Sequence, residues 1–149
     1  ASELHKCGHH ISHSSHHKHS YYLIRNSGLL GYNETEIEII ANLARYHRKS
    51  QPKKKHENLQ NLPTKEQKHV VEELSPFLRL ATSLDRRQIG AISRIESNFS
   101  KDDKELHLKL FPANRDDDCD VELWSLSYSK LVFEEVFGVK LVASLEKGY

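Results

Sequence analysis

Apolar residues recur at helical spacing up to about residue 90 and alternate with polar ones beyond it. Residues 16–27 read as a helix in which Tyr21, Tyr22, Leu23 and Ile24 supply the apolar content and Gly28 the stop. Gly31, Tyr32 and Asn33 make a turn. Asn33 followed three residues later by Glu36 is the pattern of a capping box. Ile37, Ile40, Ala41 and Ala44 then repeat at i, i+3, i+4 and i+7, the stripe of a core-facing helix. Continued, that stripe carries His47 and Arg48 toward its buried end. Residues 50–62 are polar and basic, and Pro52 stops the helix, so a loop is expected there. Thr64 with Gln67 caps the next helix, whose apolar face is Val70, Val71, Leu74, Phe77, Leu78, Ala81 and Leu84. Pro76 either kinks that helix or starts a second one with Ser75 as its N-cap.

The period changes near Gly90. Residues 92–99 and 106–111 alternate apolar with polar and read as strands. Asp116, Asp117, Asp118 and Asp120 form an acidic entry to a helix over 121–137, which Gly138 ends. Residues 139–145 make a last strand. The expected fold class is α+β, with a mainly helical domain at 1–91 and a small β-β-α-β domain at 92–149.

Composition sharpens this picture. The 149 residues are 37% hydrophobic and 29% charged, a globular balance and not that of a disordered tail. No apolar run approaches the roughly 20 residues of a membrane span, and the start has no signal-peptide core. The two cysteines, Cys7 and Cys119, read as reduced, packed thiols of a cytoplasmic protein, with one bridge between them as the alternative. The chain opens without an initiator Met inside a patterned segment, so a piece of a longer protein is expected. The net charge of +1 hides an asymmetry. Residues 1–92 hold 14 Lys and Arg against 9 Asp and Glu, while 93–149 hold 8 against 12. The first part therefore suits an anionic partner.

Three groups of residues carry candidate chemistry. Seven of the 11 histidines lie in the first 19 residues. His16 and His19, at i and i+3, could share a metal on a helix face, and a solvated polar cluster is the plainer alternative. The second group is Arg45, His47, Arg48 and Lys49, with Tyr46 interleaved, followed by Lys53, Lys54, Lys55 and His56. Arginine forks match phosphate oxygens and lysines add point charge, against the alternative of an ordinary charged loop. The third is Arg79, Arg86 and Arg87 with Asp85; Arg79 and Arg86 are seven apart and so on one helix face, and the group either joins that patch or pairs on the surface. No P-loop, nucleophile elbow or dinucleotide fingerprint is present, and the acidic run at 116–120 lacks EF-hand spacing.

Leu4-His5-Lys6-Cys7-Gly8 resembles the Leu-His-Asp-Ile-Gly signature of HD-type phosphohydrolases. With His16-His17-Lys18-His19-Ser20-Tyr21-Tyr22-Leu23-Ile24-Arg25-Asn26, Ala44-Arg45-Tyr46-His47-Arg48-Lys49 and Leu78-Arg79-Leu80-Ala81-Thr82-Ser83-Leu84-Asp85-Arg86, the match narrows. It resembles the C-terminal region of the exopolyphosphatase and guanosine pentaphosphate phosphohydrolase family, closest to exopolyphosphatase. The likeness is strong over residues 4–90 and looser beyond them. It implies an HD-like helical domain that helps hold inorganic polyphosphate and contributes to a homodimer. Magnesium-dependent release of orthophosphate would belong to absent actin-like domains, so no catalytic residue is assigned here and no cofactor is expected in this part. The polyphosphate-binding set implied is Lys6, His19, Arg45, His47, Arg48, Lys49, Lys53, Lys54, Lys55, Arg79 and Arg86.

The chain departs from the HD pattern at two carboxylates: Lys6 replaces the Asp of the doublet, and Thr82 the late Asp. His5, His19 and His47 stand at matching places, and with His16 they are the weak metal candidates. Lys6 would put a fixed cation where a metal otherwise sits, keeping affinity for phosphate while losing a hydrolytic water. The competing readings are a guanosine pentaphosphate phosphohydrolase, an active HD-type metal phosphohydrolase and a nucleic-acid binding module. The last is not expected, because few aromatics accompany the basic run.

Overall fold

Asn33 and Glu36 do cap each other. The Glu36 amide donates to Asn33 Oδ1 at 2.9 Å and the Asn33 amide to Glu36 Oε2 at 2.8 Å. The computed structural model describes residues 1–48 and 50–146. Its elements are a 3-10 turn at Cys7–His10, α1 at His16–Arg25, α2 at Glu34–Arg45, α3 at Glu57–Gln60 and α4 at Lys65–Leu84. Then follow β1 at Ile92–Ser100, β2 at Glu105–Pro112, α5 at Asp120–Phe137 and β3 at Lys140–Leu145. The class is α+β. Contacts divide the chain into two compact units, Ala1–Leu78 and Arg79–Tyr149.

In the first unit, α1 ends before Gly28. Asn26 Nδ2 bonds Tyr22 O at 2.8 Å and Ser27 Oγ bonds Ile24 O at 2.9 Å, satisfying the last carbonyls early. Ile24, Ala41 and Ala44 form one buried cluster. Leu43, Tyr46, Leu59, Leu62, Val71 and Leu78 form another. Residues 50–62 are therefore more than a loop. Leu59 and Leu62 are fully buried, each contributing about 1.5–3 kcal/mol over an exposed position, and they draw α3 against α2.

The Thr64–Gln67 cap is also present, with reciprocal bonds of 3.1 and 3.2 Å. Helix α4 runs unbroken through Pro76, so no second helix starts at Ser75. Its expected apolar face splits in two. Val71, Leu78 and Leu84 are buried, whereas Val70, Leu74 and Phe77 are exposed.

In the second unit β2 is central, antiparallel to β1 and parallel to β3, with α5 as the crossover. Leu80, Leu84, Leu108, Leu110, Leu126, Phe133 and Leu141 make its core. The last turns of α4 thus pack with the sheet, and the change of pattern near Gly90 lies inside this unit. β1 is an edge strand with Ile95 and Phe99 exposed. Cys7 and Cys119 are free thiols, one in each unit.

Candidate functional site

Gly8 sets the geometry at the N-terminus. A Cβ there would lie 2.1 Å from His16 O and 2.4 Å from Ser20 N, so only glycine lets the 3-10 turn lie against the α1 backbone. Ser20 fastens the contact, accepting from the Gly8 amide at 2.9 Å and donating to His5 O at 2.8 Å. This close approach gathers histidines that the sequence scatters. His9 stacks on His16 with ring centroids 3.9 Å apart. His47, from the turn after α2, lies 5.3 Å from His16 and 4.8 Å from His5. His16 Nε2 and His47 Nε2 are 3.4 Å apart, and both residues are buried.

Helix α2 stops at Arg45 with Tyr46 as its C-cap, so His47 and Arg48 do not continue its stripe. His47 nevertheless reaches the interior from the turn, where its Nδ1 donates to Ala44 O at 2.6 Å. Burial, then the neighbouring His5, His16 and Arg48, pushes its pKa down to about 3. Burial also lowers His16 and His9, and Arg48 adds to both shifts. Lys6 acts on His9 in the same sense. Lys6 and Arg48, far apart in sequence, therefore share one electrostatic neighbourhood.

A second cationic group forms around His56. Tyr46 is fully buried, and its hydroxyl meets His56 Nδ1 at 2.8 Å and Asn58 Nδ2 at 3.0 Å. The Tyr46 and His56 rings stack with centroids 5.7 Å apart. Asn58 is tied in turn to Asn42 on α2 by bonds of 2.7 and 3.2 Å. That network holds the 53–56 turn, closed by the His56 amide on Lys53 O at 2.8 Å. Burial, and then Arg45, Lys53 and Lys55, lowers the His56 pKa. Lys53, Lys54 and Lys55 are exposed. The Arg45 guanidinium lies 5.9 Å over the Tyr21 ring.

Two carboxylates of the first unit, Glu34 and Glu38, are held by α1. Glu38 is buried and takes Arg25 at 2.6 Å and the Tyr21 hydroxyl at 2.5 Å, and Arg25 also pairs with Glu34 at 2.7 Å. Desolvation and Glu38 push the Tyr21 pKa up to about 12. Among the described residues, no ion pair engages Arg45, Arg48, Lys53, Lys54 or Lys55.

Other members of the expected set fall differently. His19 is half-buried on α1. Arg79 and Arg86 belong to the second unit. Helix α4 ends at Leu84, so the buried Arg79 and the exposed Arg86 do not share a helix face. Lys49 lies outside the described residues. Thr82 Oγ1 is turned back to Arg79 O at 3.0 Å. Magnesium takes oxygen ligands, and the histidine cluster offers imidazole nitrogens beside Lys6 and Arg48, so that ion does not fit here.

Compared with family models, residues 1–130 match Ppx/GppA phosphatase, domain III. The chain belongs to the Ppx/GppA phosphatase family. The match covers the first unit and runs on through β1 and β2 into α5, ending before β3. A Ppx/GppA phosphatase is a hydrolase, and this chain spans the region that the family description numbers as its third domain.

Sequence reasoning missed two arrangements. The Arg25–Glu38–Tyr21 cluster was hidden because its members lie on different helices. Arg87 is a clamp partner and not a surface cation. It meets the buried Glu122 at 2.7 Å and Asp117 at 2.8 Å. Arg87 holds the Glu122 carboxyl below its usual range, and the Cys119 amide, then Arg87, does the same for Asp117. The acidic run near residue 117 was the available signal.

Proposed function

We propose that this chain holds inorganic polyphosphate within an exopolyphosphatase, acting through the basic surface of its first unit. The observation that carries the reading is the pair of cationic groups, Lys6 with Arg48 and Arg45 with Lys53 and Lys55, gathered on the first unit's surface from distant parts of the chain. Side chains so arranged neutralise successive phosphates of a flexible polyanion without needing a fixed register. His47 and His56, with lowered pKa values, are neutral at pH 7, so the charge that meets the phosphates comes from the lysines and arginines. Hydrolysis of the terminal phosphoanhydride, with magnesium, belongs in this reading to other domains of a cytoplasmic parent. The parent is read as a homodimer to which this region contributes.

Guanosine pentaphosphate offers the same phosphate chemistry on a short chain. A nucleic-acid surface would need exposed aromatics, and the aromatic inside the basic run, Tyr46, is fully buried. A competition experiment separates the three. Labelled long-chain polyphosphate bound to the protein is challenged with unlabelled polyphosphate, guanosine pentaphosphate or single-stranded RNA at equal phosphate concentration. Displacement by polyphosphate at the lowest concentration is expected. Equal or better displacement by RNA would overturn the reading.

A further inference from the structure

Two hydrogen bonds fix how the buried histidines carry their protons. A carbonyl oxygen can only accept, so His47 Nδ1, 2.6 Å from Ala44 O, bears hydrogen. The same holds for His16 Nδ1, 3.2 Å from His13 O. In their neutral forms both rings then present Nε2 as a bare lone pair, and these two nitrogens face each other at 3.4 Å. Neither can donate to the other, so the contact is repulsive as it stands. The exposed His9–His13 pair is different: its Nδ1 atoms are 3.1 Å apart, and with one donating, an ordinary hydrogen bond suffices.

Facing lone pairs whose opposite ring nitrogens donate to backbone carbonyls are the arrangement of imidazole metal ligands. The spacing agrees. Two nitrogens bound to a tetrahedral ion at about 2.0–2.1 Å stand roughly 3.3 Å apart. His5 follows the same rule, with Nδ1 on Ser2 O and its ring 4.8 Å from His47. We infer that His16 and His47 form the protein half of a site for a borderline divalent ion such as Zn2+, with His5 as its third arm. Among the described residues no three His, Cys, Asp or Glu side chains are already set to hold an ion together, so the pair binds first and His5 closes by ring rotation. All-nitrogen donors select zinc, nickel or copper over magnesium. With no protein carboxylate in the set, the ion keeps positions open to water or to an anion. The inference stands apart from the polyphosphate reading, since it rests on ring tautomers and not on the basic surface.

The test is calorimetric titration of chelator-stripped protein with ZnCl2, alongside long-range 1H–15N spectra of the imidazoles. One zinc per chain is expected. His16→Gln should weaken binding by about tenfold or more, while His13→Gln leaves it unchanged. In the unmodified protein, zinc should shift the Nε2 resonances of His16 and His47, with Nδ1 remaining protonated. Absence of zinc binding, or unmoved Nε2 resonances, would overturn the inference. So would loss of binding in His13→Gln with retention in His16→Gln, which would assign the ion to the exposed pair. The spectra use unmodified protein, so misfolding of a variant leaves the test intact.

Discussion

Gly8→Ala isolates the packing that assembles the histidine cluster. Gly8 does not have positive φ, so alanine brings no penalty of backbone conformation. What it brings is a methyl 2.1 Å from His16 O, where ordinary contact begins at 3.4 Å. The turn or α1 must therefore yield by 1.3 Å, the difference of those distances. The α1 atoms it meets are backbone, braced by helical hydrogen bonds, so the turn moves. Overpacking of this kind costs about 1–3 kcal/mol. The displaced turn also weakens the Gly8–Ser20 and Ser20–His5 bonds, each worth about 1 kcal/mol. A loss of roughly 2–5 kcal/mol follows, a large part of the 5–15 kcal/mol typical of a domain. Urea denaturation followed by circular dichroism measures it as a fall in midpoint. The control is Gly28→Ala, at φ +58° with nothing within 4 Å, which costs only the left-handed penalty of about 1–2 kcal/mol. Equal midpoints for the two variants would mean that the Gly8 contact carries no packing strain.

Acidification tests the buried imidazole. The His47 pKa falls from 6.5 unfolded to about 3 folded, so below pH 6.5 the unfolded state takes the proton first. Its contribution is fully present above pH 6.5 and lost as pH falls toward 3, with about 2 kcal/mol gone at pH 5. In chelator-containing buffer the urea midpoint should drop between pH 7 and 5, less so in His47→Gln; a flat profile in the unmodified protein would count against the burial. Glu122→Gln removes one side of the Arg87 clamp, whose carboxylate is fully buried, and should lower the melting temperature far more than Glu96→Gln, whose pair with Arg94 is exposed. Similar shifts in the two variants would contradict the buried pairing.

Local signals were legible in the sequence. Both capping boxes, the strands of the second unit and α5 follow from short-range spacing, because their determinants lie within a few residues. Longer-range outcomes were not. Leu59 and Leu62 are buried because Asn42 on α2 and its C-cap Tyr46 supply partners for their segment, which its polar composition conceals. Half of the apolar residues on α4 stay exposed, since period alone does not say which of two adjacent stripes finds a core. The candidate site was legible as residue types and not as an arrangement. His16 meets His47 across 31 residues, and nothing in the spacing of the histidine-rich start selects His16 over His19. The Gly8 approach decides it.

On the proposed reading, the basic surface of the first unit holds a phosphate chain. Calorimetric titration with long-chain polyphosphate at two salt concentrations tests it most directly, comparing the unmodified protein with a variant in which Lys53, Lys54 and Lys55 are alanine. These lysines are exposed, so the fold is spared. Tight binding that weakens steeply with salt is predicted, with both the affinity and the salt dependence reduced in the variant, as counterion release requires. Binding that is absent, or that is the same in the variant at both salt concentrations, would rule out a polyphosphate-holding role for this surface.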